Sequence, residues 1–281
     1  MYISDSILDQ LIEEDVPYID VTSDVLNINE QQGTIEYITR EDTCVCGSEE
    51  VVKIFKKFDL EVIHCVKTGT FLKKSSSILK AKGKASSLHM CWKVCMNILE
   101  NSSGIATRTK EFVDIAKAHN PHIEVITTRK NFPGTKRLAI KGIMAGGAFP
   151  HRLGLSETVL VFEEHMRFIG GIEGFIKNID LYKQRAGEKK IIAEAHCYEN
   201  AIALATAGVD VIQLDKFSIE EINKTLKEIR KISKDIKIGA AGGVNLKNVE
   251  SIAKTGVDLI TTSALYFGKP SDIKTSLLMD E

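Results

Sequence analysis

The sequence predicts a mixed α/β segment followed by a (β/α) barrel that is incomplete. From about residue 107 onward, six short apolar runs alternate with helical stretches. Each run is apolar almost throughout, which is typical of parallel strands buried on both faces. An open doubly wound sheet is the alternative. No GxGxxG motif follows any predicted strand, which argues against the dinucleotide-binding form of that fold.

Both helices and strands are predicted in the first 106 residues. A helix over SDSILDQLIEED ends before Pro17, and strands are predicted at GTIEYIT, LEVIHCV and SSILKAKG. Apolar residues at helical spacing predict a further helix from Ser86 to Asn101. We expect Ser102, Ser103 and Gly104 to end that helix, because glycine suits a left-handed cap.

The second segment holds the alternating pattern. Its predicted helices are ENAIALATAG, SIEEINKTLKEIRKIS and NLKNVESIAKTG, the last of which begins near Leu246. Its predicted strands are IEVIT (123–127), TVLVF (158–162), KIIAEA (190–195), DVIQL (210–214), IKIGA (236–240) and DLITT (258–262). The change of pattern predicts two domains, residues 1–106 and residues 107–281.

Composition and charge restrict the class of protein. The hydrophobic content of 43% is ample for a core, and a pI near 6.7 argues against a general nucleic-acid binder. No apolar run is long enough to span a bilayer, and the acidic start of the chain lacks the order of a signal peptide. We therefore expect a cytoplasmic protein, whose six cysteines are reduced and fit no strong zinc signature.

One stretch of this nearly neutral chain is strongly basic. Residues 127–152 hold no Asp or Glu, in a chain whose net charge is -1. Their basic residues are Arg129, Lys130, Lys136, Arg137, Lys141 and Arg152. The stretch is either a local anion site or a solvated surface. For Lys136, Arg137 and Lys141, which lie on a predicted helix, a surface or capping role is at least as well supported as a catalytic one.

Cations, carboxylates and small residues follow the predicted strands, at the end where α/β barrels carry their chemistry. These residues are Thr128, Arg129, Lys130, Glu163, Glu164, His165, Glu194, Asp215, Lys216, Ala241, Gly242, Gly243, Ser263 and Ala264. The two glycines let backbone N–H groups approach an anion, and the N-terminus of the predicted helix that follows them also favours an anion. Glu194 and Asp215 suit Mg²⁺ held through water. The pattern predicts a phosphate-rich substrate.

Structural roles are alternatives for several of these residues. Ion pairing inside the barrel is the alternative for Glu194 and Asp215, and a solvated loop is the alternative for Arg129 and Lys130. The histidines other than His151, among them His165 and His196, are expected to be structural or exposed. A Schiff-base aldolase would need a buried lysine, for which Lys216 is the candidate.

The stretches SSGIATRT, TTRKNFPGTK, PHRLGL and LVFEEH resemble the quinolinate (nicotinate-nucleotide) phosphoribosyltransferases, in the right order and across nearly the whole chain. AGGAFPHRLGLSETVLVFEEH is most similar to their ModD paralogues, which are named for molybdenum transport. The resemblance implies an N-terminal α/β sandwich domain and an incomplete α/β barrel, and we expect the C-terminal tail to pack back on the first domain. It also implies phosphoribosyl pyrophosphate, a heterocyclic base, Mg²⁺ and a homodimer with shared active sites.

The resemblance also assigns roles to the matching residues. Arg129, His151 and Arg152 are expected at the base or its carboxylate, Lys130, Gly242, Gly243 and Ser263 at the phosphates, and Glu194 and Asp215 at Mg²⁺ and the ribose. Glu194, Asp215 and Lys130 are expected to be catalytic. Lys93 is expected to reach the site from a second subunit.

The chain departs from the family pattern mainly on the base side. Phe162 replaces a lysine and is followed by Glu163 and Glu164; Lys93 replaces an arginine; Gly239 and Ala241 replace a glutamate and a serine. The loss of a cation and of a bidentate guanidinium favours a base with less negative charge than quinolinate. Phe162 also offers an aromatic face on which a ring can stack.

These observations lead to one main hypothesis and two alternatives. The main hypothesis is a ModD-like pyrophosphorylase, a pentosyltransferase that moves ribose 5-phosphate from phosphoribosyl pyrophosphate to a nitrogen heterocycle. Its link to molybdenum transport rests on the resemblance alone. The alternatives are an authentic nicotinate-nucleotide diphosphorylase that decarboxylates quinolinate, and a non-catalytic nucleotide or anion binder. The two barrel carboxylates favour an enzyme, because an anion binder gains nothing from them.

Overall fold

The computed structural model describes residues 1–280, and their contacts group them into two compact units. The first unit comprises residues 1–111, 131–147 and the chain from Tyr266 onward. The second unit comprises residues 112–130 and 148–265. The predicted division at residue 106 stays a prediction.

The helices and strands are numbered along the chain. The helices are α1 (Asp5–Asp15), α2 (Val21–Val25), α3 (Ser48–Lys57), α4 (Ala85–His119), α5 (Lys136–Ala145), α6 (Glu163–Met166), α7 (Gly171–Lys177), α8 (Ile179–Ala186), α9 (Tyr198–Thr206), α10 (Ile219–Ile232) and α11 (Val249–Ala253). The strands are β1 (Gln32–Thr39), β2 (Thr43–Cys44), β3 (Glu61–Cys65), β4 (Phe71–Leu72), β5 (Ser77–Lys84), β6 (Glu124–Thr127), β7 (Phe149–Pro150), β8 (Val159–Val161), β9 (Ile191–Ala195), β10 (Val211–Asp215), β11 (Lys237–Ala241), β12 (Leu259–Thr262) and β13 (Ile273–Met279).

The first unit contains a four-stranded antiparallel sheet in the order β13-β1-β5-β3. Alternate residues of β1 are buried, so one face of the strand packs on the core. The three strands predicted in this part of the chain are confirmed, and so is the first helix, which ends before Pro17. The last strand, β13, pairs with β1 and so places the C-terminal tail in this sheet.

The predicted end of the long helix at Gly104 is wrong. Helix α4 runs without interruption for 35 residues, from Ala85 to His119. A Cβ atom at Gly104 would lie 2.9 Å from backbone atoms of Lys269, Pro270 and Ser271. The glycine therefore allows another chain segment to approach the helix closely, and it does not serve as a left-handed cap.

Lys141, on α5, forms a buried ion pair within the first unit. Its Nζ lies 2.7 Å from Glu49 Oε2 and also contacts Glu50, and Lys141 is only 7% exposed. Burial alone would raise the pKa of Glu49, but hydrogen bonds from Lys141 and Thr68 outweigh burial and lower that pKa to about 2. The surface role considered for Lys141 is therefore wrong, because this buried cation neutralises the buried carboxylate of Glu50 and also pairs with the more exposed Glu49.

The second unit contains a seven-stranded parallel sheet in the order β7-β6-β12-β11-β10-β9-β8. It curls but stays open at the edge strands β7 and β8, so the expectation of an incomplete barrel is confirmed. All six predicted strands are present, and their central members are buried almost throughout. The short strand β7 was not predicted, because two residues carry no periodic signal. No helix within residues 1–280 is long and apolar enough to cross a membrane.

Replacing Lys141 by Met is expected to lower the free energy of unfolding by about 3–5 kcal/mol at neutral pH, because the buried Glu50 would lose its cation. The lowered pKa of Glu49 means that its ion pair stabilises the fold at neutral pH and ceases to do so as the pH falls from 4.5 toward about 2. The effect of the substitution should therefore shrink in acid. Urea unfolding at neutral pH and at about pH 3 measures both effects.

The control for this experiment is Arg137→Met, which removes an exposed cation from the same helix. It is expected to change the free energy of unfolding by less than about 0.5 kcal/mol. Equal losses in the two variants would show that the ion pair does not stabilise the first unit.

Candidate active site

The carboxyl ends of the strands in the second unit surround a cavity of about 580 Å³. Most of the predicted site residues line it: Arg129, Lys130, His151, Arg152, Phe162, Glu194, Asp215, Gly242, Gly243 and Ser263. Five further residues that line it were given no site role in the sequence analysis: Gln213, Val244, Leu160, Thr261 and Thr262. The open barrel thus brings cations, carboxylates and glycines together at one edge of the sheet.

Glu194 and Asp215 face each other across two adjacent strands. Parallel pairing aligns Glu194 of β9 with Gln213 of β10, so Asp215 lies at the same edge two residues later. His196 contacts both carboxylates: its Nε2 lies 3.4 Å from Glu194 Oε2, and its Nδ1 lies 3.5 Å from Asp215 Oδ2. One ligand atom from each of the three residues falls within 4.8 Å of the others, which is compatible with a metal site. His196 is exposed, as expected, but its contact with both carboxylates was not predicted.

Gln213 links the core of the barrel to Glu194. Its Nε2 donates a hydrogen bond to Glu194 Oε1 at 3.0 Å, while its Oε1 accepts one from the hydroxyl of Thr261 at 3.1 Å. Gln213 is 7% exposed, so the amide is held in one orientation. Burial raises the pKa of Glu194, the hydrogen bond from Gln213 opposes that rise, and the charge of Asp215 adds to it. The signal for Gln213 was a polar side chain inside the otherwise apolar run VIQL of β10.

The loop after β11 is shaped by two glycines with positive φ. Gly242 has a φ of 83°, and a Cβ there would lie 2.6 Å from Asp215 Oδ1 and 2.5 Å from Lys216 Cγ. Gly243 has a φ of 77°, and a Cβ there would meet no protein atom within 4 Å. The carbonyl of Gly243 accepts hydrogen bonds from the side-chain amides of Asn245 and Asn248, at 2.9 and 3.2 Å. The two asparagines therefore fix the backbone of the loop, and the loop stays open toward the cavity at Gly243.

The helix after this loop begins later than predicted. It starts at Val249 instead of near Leu246, and it contains only five residues. A helix this short offers little dipole to an anion. Any anion at the loop would therefore depend on backbone N–H groups and on nearby cations.

Four cations line the cavity: Arg129, Lys130, Arg152 and Lys216. The backbone after β6 is fixed by the N–H of Thr128, which donates to the carbonyl of Thr262 at 3.1 Å. Burial lowers the pKa of Arg152, and the charge of Arg129 lowers it further, so the two guanidinium groups lie close enough to repel. The positive charges of Arg129 and Arg152 together favour an anionic ligand.

His151 and Lys216 complete the basic side of the site. Burial lowers the pKa of His151 and the charge of Arg152 adds to the effect, so the imidazole is neutral at neutral pH. Lys216 has a φ of 62°, unusual for a side chain other than glycine, and its N–H donates to the carbonyl of Ala241 at 2.9 Å. Lys216 is exposed, which argues against the buried lysine that a Schiff-base aldolase requires.

Phe162 and Glu164 line the cavity on the side of the edge strand β8. The Phe162 ring stacks on His165 with 5.7 Å between ring centroids and 19° between planes. The Phe162 N–H also donates to His165 Nδ1 at 3.1 Å. Glu163 is not among the lining residues, and its Oε1 pairs with Arg167 at 2.9 Å.

Besides Lys141, three predicted residues lie in the first unit and do not line this cavity. Lys93 is exposed on α4, with its Nζ 4.3 Å from the centroid of the Trp92 ring. Lys136 and Arg137 are exposed on α5. The role of Lys93 in a neighbouring subunit's site stays a prediction.

A larger cavity, of about 730 Å³, lies within the first unit. It is lined mainly by apolar side chains, and no lysine, arginine or histidine is among the described residues that line it. A phosphate-rich ligand needs cations, so the smaller cavity of the second unit is the candidate active site.

Comparison with known proteins places the chain in a family. Residues 105–275 match the quinolinate phosphoribosyl transferase C-terminal domain, and residues 20–103 match its N-terminal domain. The ModD protein of Pasteurella multocida, named as a pyrophosphorylase, is 38% identical over 98% of this chain and 97% of its own length. A ModD protein of Escherichia coli O157:H7 is 33% identical over 99% of this chain and 98% of its own length.

A solved structure supports the same assignment. The crystal structure of nicotinate-nucleotide pyrophosphorylase from Ehrlichia chaffeensis matches with a TM-score of 0.89 at 26% identity, over 99% of this chain and 100% of that one. The chain belongs to the quinolinate phosphoribosyltransferase family, and within that family it groups with the ModD pyrophosphorylases.

Proposed function

We propose that this protein is a phosphoribosyltransferase that joins the ribose 5-phosphate of phosphoribosyl pyrophosphate to a ring nitrogen of a heterocyclic base. The lone pair of the ring nitrogen forms a bond to ribose C1, and the C1–O bond to pyrophosphate breaks with its electron pair leaving on pyrophosphate. The observation that carries the proposal is the pair Glu194 and Asp215 in one cavity with four cations and an open glycine loop.

The carboxylates of Glu194 and Asp215 suit an interaction with the ribose of the substrate. Positive charge develops at C1 as pyrophosphate leaves, and Glu194 and Asp215 would stabilise it from fixed positions. Gln213 keeps Glu194 oriented through its hydrogen bond of 3.0 Å. A non-catalytic anion binder would instead be weakened by two carboxylates in the site, so that alternative is less favoured.

The oxygen ligands of Glu194 and Asp215 also fit Mg²⁺, which commonly takes one or two carboxylates together with substrate phosphates. When bound, the ion would neutralise charge that accumulates on the departing pyrophosphate. Lys130 would contact the phosphates, and Gly242, Gly243 and Ser263 would hold the 5-phosphate through backbone N–H and hydroxyl groups.

The base would occupy the side of the cavity near Arg129, His151, Arg152 and Phe162. A neutral His151 can donate one hydrogen bond and accept another, while the two arginines attract a carboxylate. Lys93 of a second subunit is proposed to complete this side in a homodimer. A cytoplasmic location and a role in molybdenum transport stay predictions.

Authentic quinolinate decarboxylation is the second candidate reaction. It is less favoured because Phe162 replaces a family lysine and because Glu164 adds a negative charge to the cavity. Identity to the ModD proteins points in the same direction.

The direct test is the release of pyrophosphate from phosphoribosyl pyrophosphate, measured with and without Mg²⁺ against quinolinate, nicotinate and a panel of other nitrogen heterocycles. Release is expected only with Mg²⁺ and a suitable base. Quinolinate as the best base would support the second candidate. Binding of phosphoribosyl pyrophosphate without Mg²⁺ dependence, and without any turnover, would instead support a non-catalytic binder.

Substituting the two glycines separately tests the loop. Gly243→Ala is expected to cost about 1 kcal/mol of stability from its positive φ. Its methyl group would point into open space, so it should weaken binding of phosphoribosyl pyrophosphate without changing the Mg²⁺ requirement. Gly242→Ala would also displace Asp215, so a further loss of about 1–3 kcal/mol and a higher Mg²⁺ requirement are expected. Unchanged binding by Gly243→Ala would exclude the loop as the phosphate site.

Replacing Glu194 by Gln is expected to separate activity from stability. The folded-state pKa of Glu194 is raised mainly by burial, so the ionised carboxylate destabilises the fold as the pH rises through that pKa. The variant should therefore be more stable by about 1 kcal/mol at neutral pH, and equal to the parent in acid. Turnover should fall by about a hundredfold or more.

Glu163→Gln is the matched control, because Glu163 is exposed and its pKa is lowered by Arg167. It should retain turnover and show no gain in stability. A destabilised Glu194→Gln variant would indicate that Glu194 is a structural ion-pair partner.

A further inference from the structure

The two adjacent glutamates after β8, Glu163 and Glu164, have different surroundings. Glu163 pairs with Arg167, one turn along the chain, and does not line the cavity. Glu164 lines the cavity together with Phe162 and Glu194. Burial is the main cause of the raised pKa of Glu194, and the charge of Glu164 contributes to it, so these two carboxylates lie within electrostatic reach. Glu164 is therefore a third carboxylate of the site, with no role in the steps described above.

Phe162 gives the same side of the cavity a flat apolar surface. Its ring is backed by the His165 ring, with 19° between the two planes, and its backbone N–H is fixed by His165 Nδ1. A supported aromatic ring that borders a cavity favours offset stacking with another planar ring. A heterocycle that stacks on Phe162 would present its edge to neighbouring side chains, among them Glu164.

The charged side chains that line the cavity limit which substituents the edge of the bound heterocycle can have. The lining residues include four cations, Arg129, Lys130, Arg152 and Lys216, and three carboxylates, Glu164, Glu194 and Asp215. The phosphates of phosphoribosyl pyrophosphate would engage much of the positive charge. An ionised carboxylate such as Glu164 can only accept hydrogen bonds, and it repels a carboxylate placed against it.

We propose that Glu164 selects an acceptor base that carries an N–H donor, such as an amino or carboxamide group, and at most one carboxylate. This inference rests on the phosphoribosyltransferase function proposed above and specifies its acceptor. The N–H group remains protonated and donates to Glu164, while the ring nitrogen forms the bond to ribose C1 and pyrophosphate leaves. No carboxylate needs to be lost from such a base, so the reaction releases no carbon dioxide.

The test compares bases that differ in one substituent: quinolinate, nicotinate, nicotinamide and 6-aminonicotinate. Binding of each is measured by calorimetry with the protein loaded with Mg²⁺, ribose 5-phosphate and pyrophosphate, which do not react with the base, and pyrophosphate release from phosphoribosyl pyrophosphate is measured separately. The unaltered protein is expected to prefer the donor-bearing bases to quinolinate by about tenfold or more in affinity, since a hydrogen bond to a charged group has that worth.

Glu164→Gln is the decisive variant, and Glu163→Gln is its matched control on the same short helix. Glu164→Gln removes the charge but keeps the size, and should reduce the preference for donor-bearing bases over quinolinate by about tenfold. Glu163→Gln should leave that preference unchanged. The ratio between bases is the readout, because a general loss of folding would lower all of them equally.

Three results would overturn the inference. One is a preference of the unaltered protein for quinolinate. Another is an equal effect of Glu164→Gln on every base, and the third is an increased Mg²⁺ requirement in that variant, which would assign Glu164 to the metal. Base binding is measured independently of turnover, so absence of pyrophosphate release would count against the phosphoribosyltransferase while the choice of base is still decided by calorimetry.

Discussion

The parallel pairing of β9 with β10 is the constraint on which the candidate site depends. It brings Glu194 and Asp215 to the same edge of the sheet, where two like charges repel each other. Such a pair is unfavourable unless neighbouring groups or a cation compensate for it. Gln213, on β10, contacts Glu194, and His196, which directly follows β9, contacts both carboxylates. The register that creates the repulsion therefore also supplies part of its compensation.

The next strand of the sheet adds a steric constraint to this electrostatic one. The loop after β11 approaches Asp215 and Lys216 so closely that no side chain fits at Gly242. Lys216 in turn has a positive φ, and its N–H is bonded to the carbonyl of Ala241. Backbone strain of this kind persists only where surrounding contacts determine it, and it is common at functional sites. The position of Asp215 is thus determined by the loop as well as by its own strand.

The sequence predicted those parts of the site that follow from strand position alone. Alternating apolar runs located the strands, and the residues after them include most of the residues that line the cavity. His196 was missed because its contacts with two carboxylates depend on the pairing of β9 with β10, which the sequence does not state. Gly104 was misinterpreted because a glycine needed for close approach and a glycine needed for a helix cap look alike in a sequence.

The basic stretch, residues 127–152, shows the same limit of prediction from sequence alone. Arg129, Lys130 and Arg152 line the cavity, whereas Lys141 pairs with Glu49 and Glu50, which lie about ninety residues earlier in the chain. A count of charges cannot distinguish a cation that binds a ligand from one that neutralises a buried carboxylate. The assignment depends on which acidic residues the fold brings near, and this is a property of tertiary structure.

The two halves of the cavity differ in how strongly the fold constrains them. The half with Glu194, Asp215 and Gly242 is built on three adjacent central strands, where a shift of one strand would disturb its neighbours. The half with Phe162 and Glu164 follows β8, a three-residue strand at the edge of the sheet. Substitutions after an edge strand alter few shared contacts, so the base side can change while the sugar and phosphate side is kept. This difference in constraint accounts for the departures from the family pattern at Phe162, Glu163 and Glu164, whereas those at Gly239 and Ala241 lie on the central strand β11 and have no such explanation.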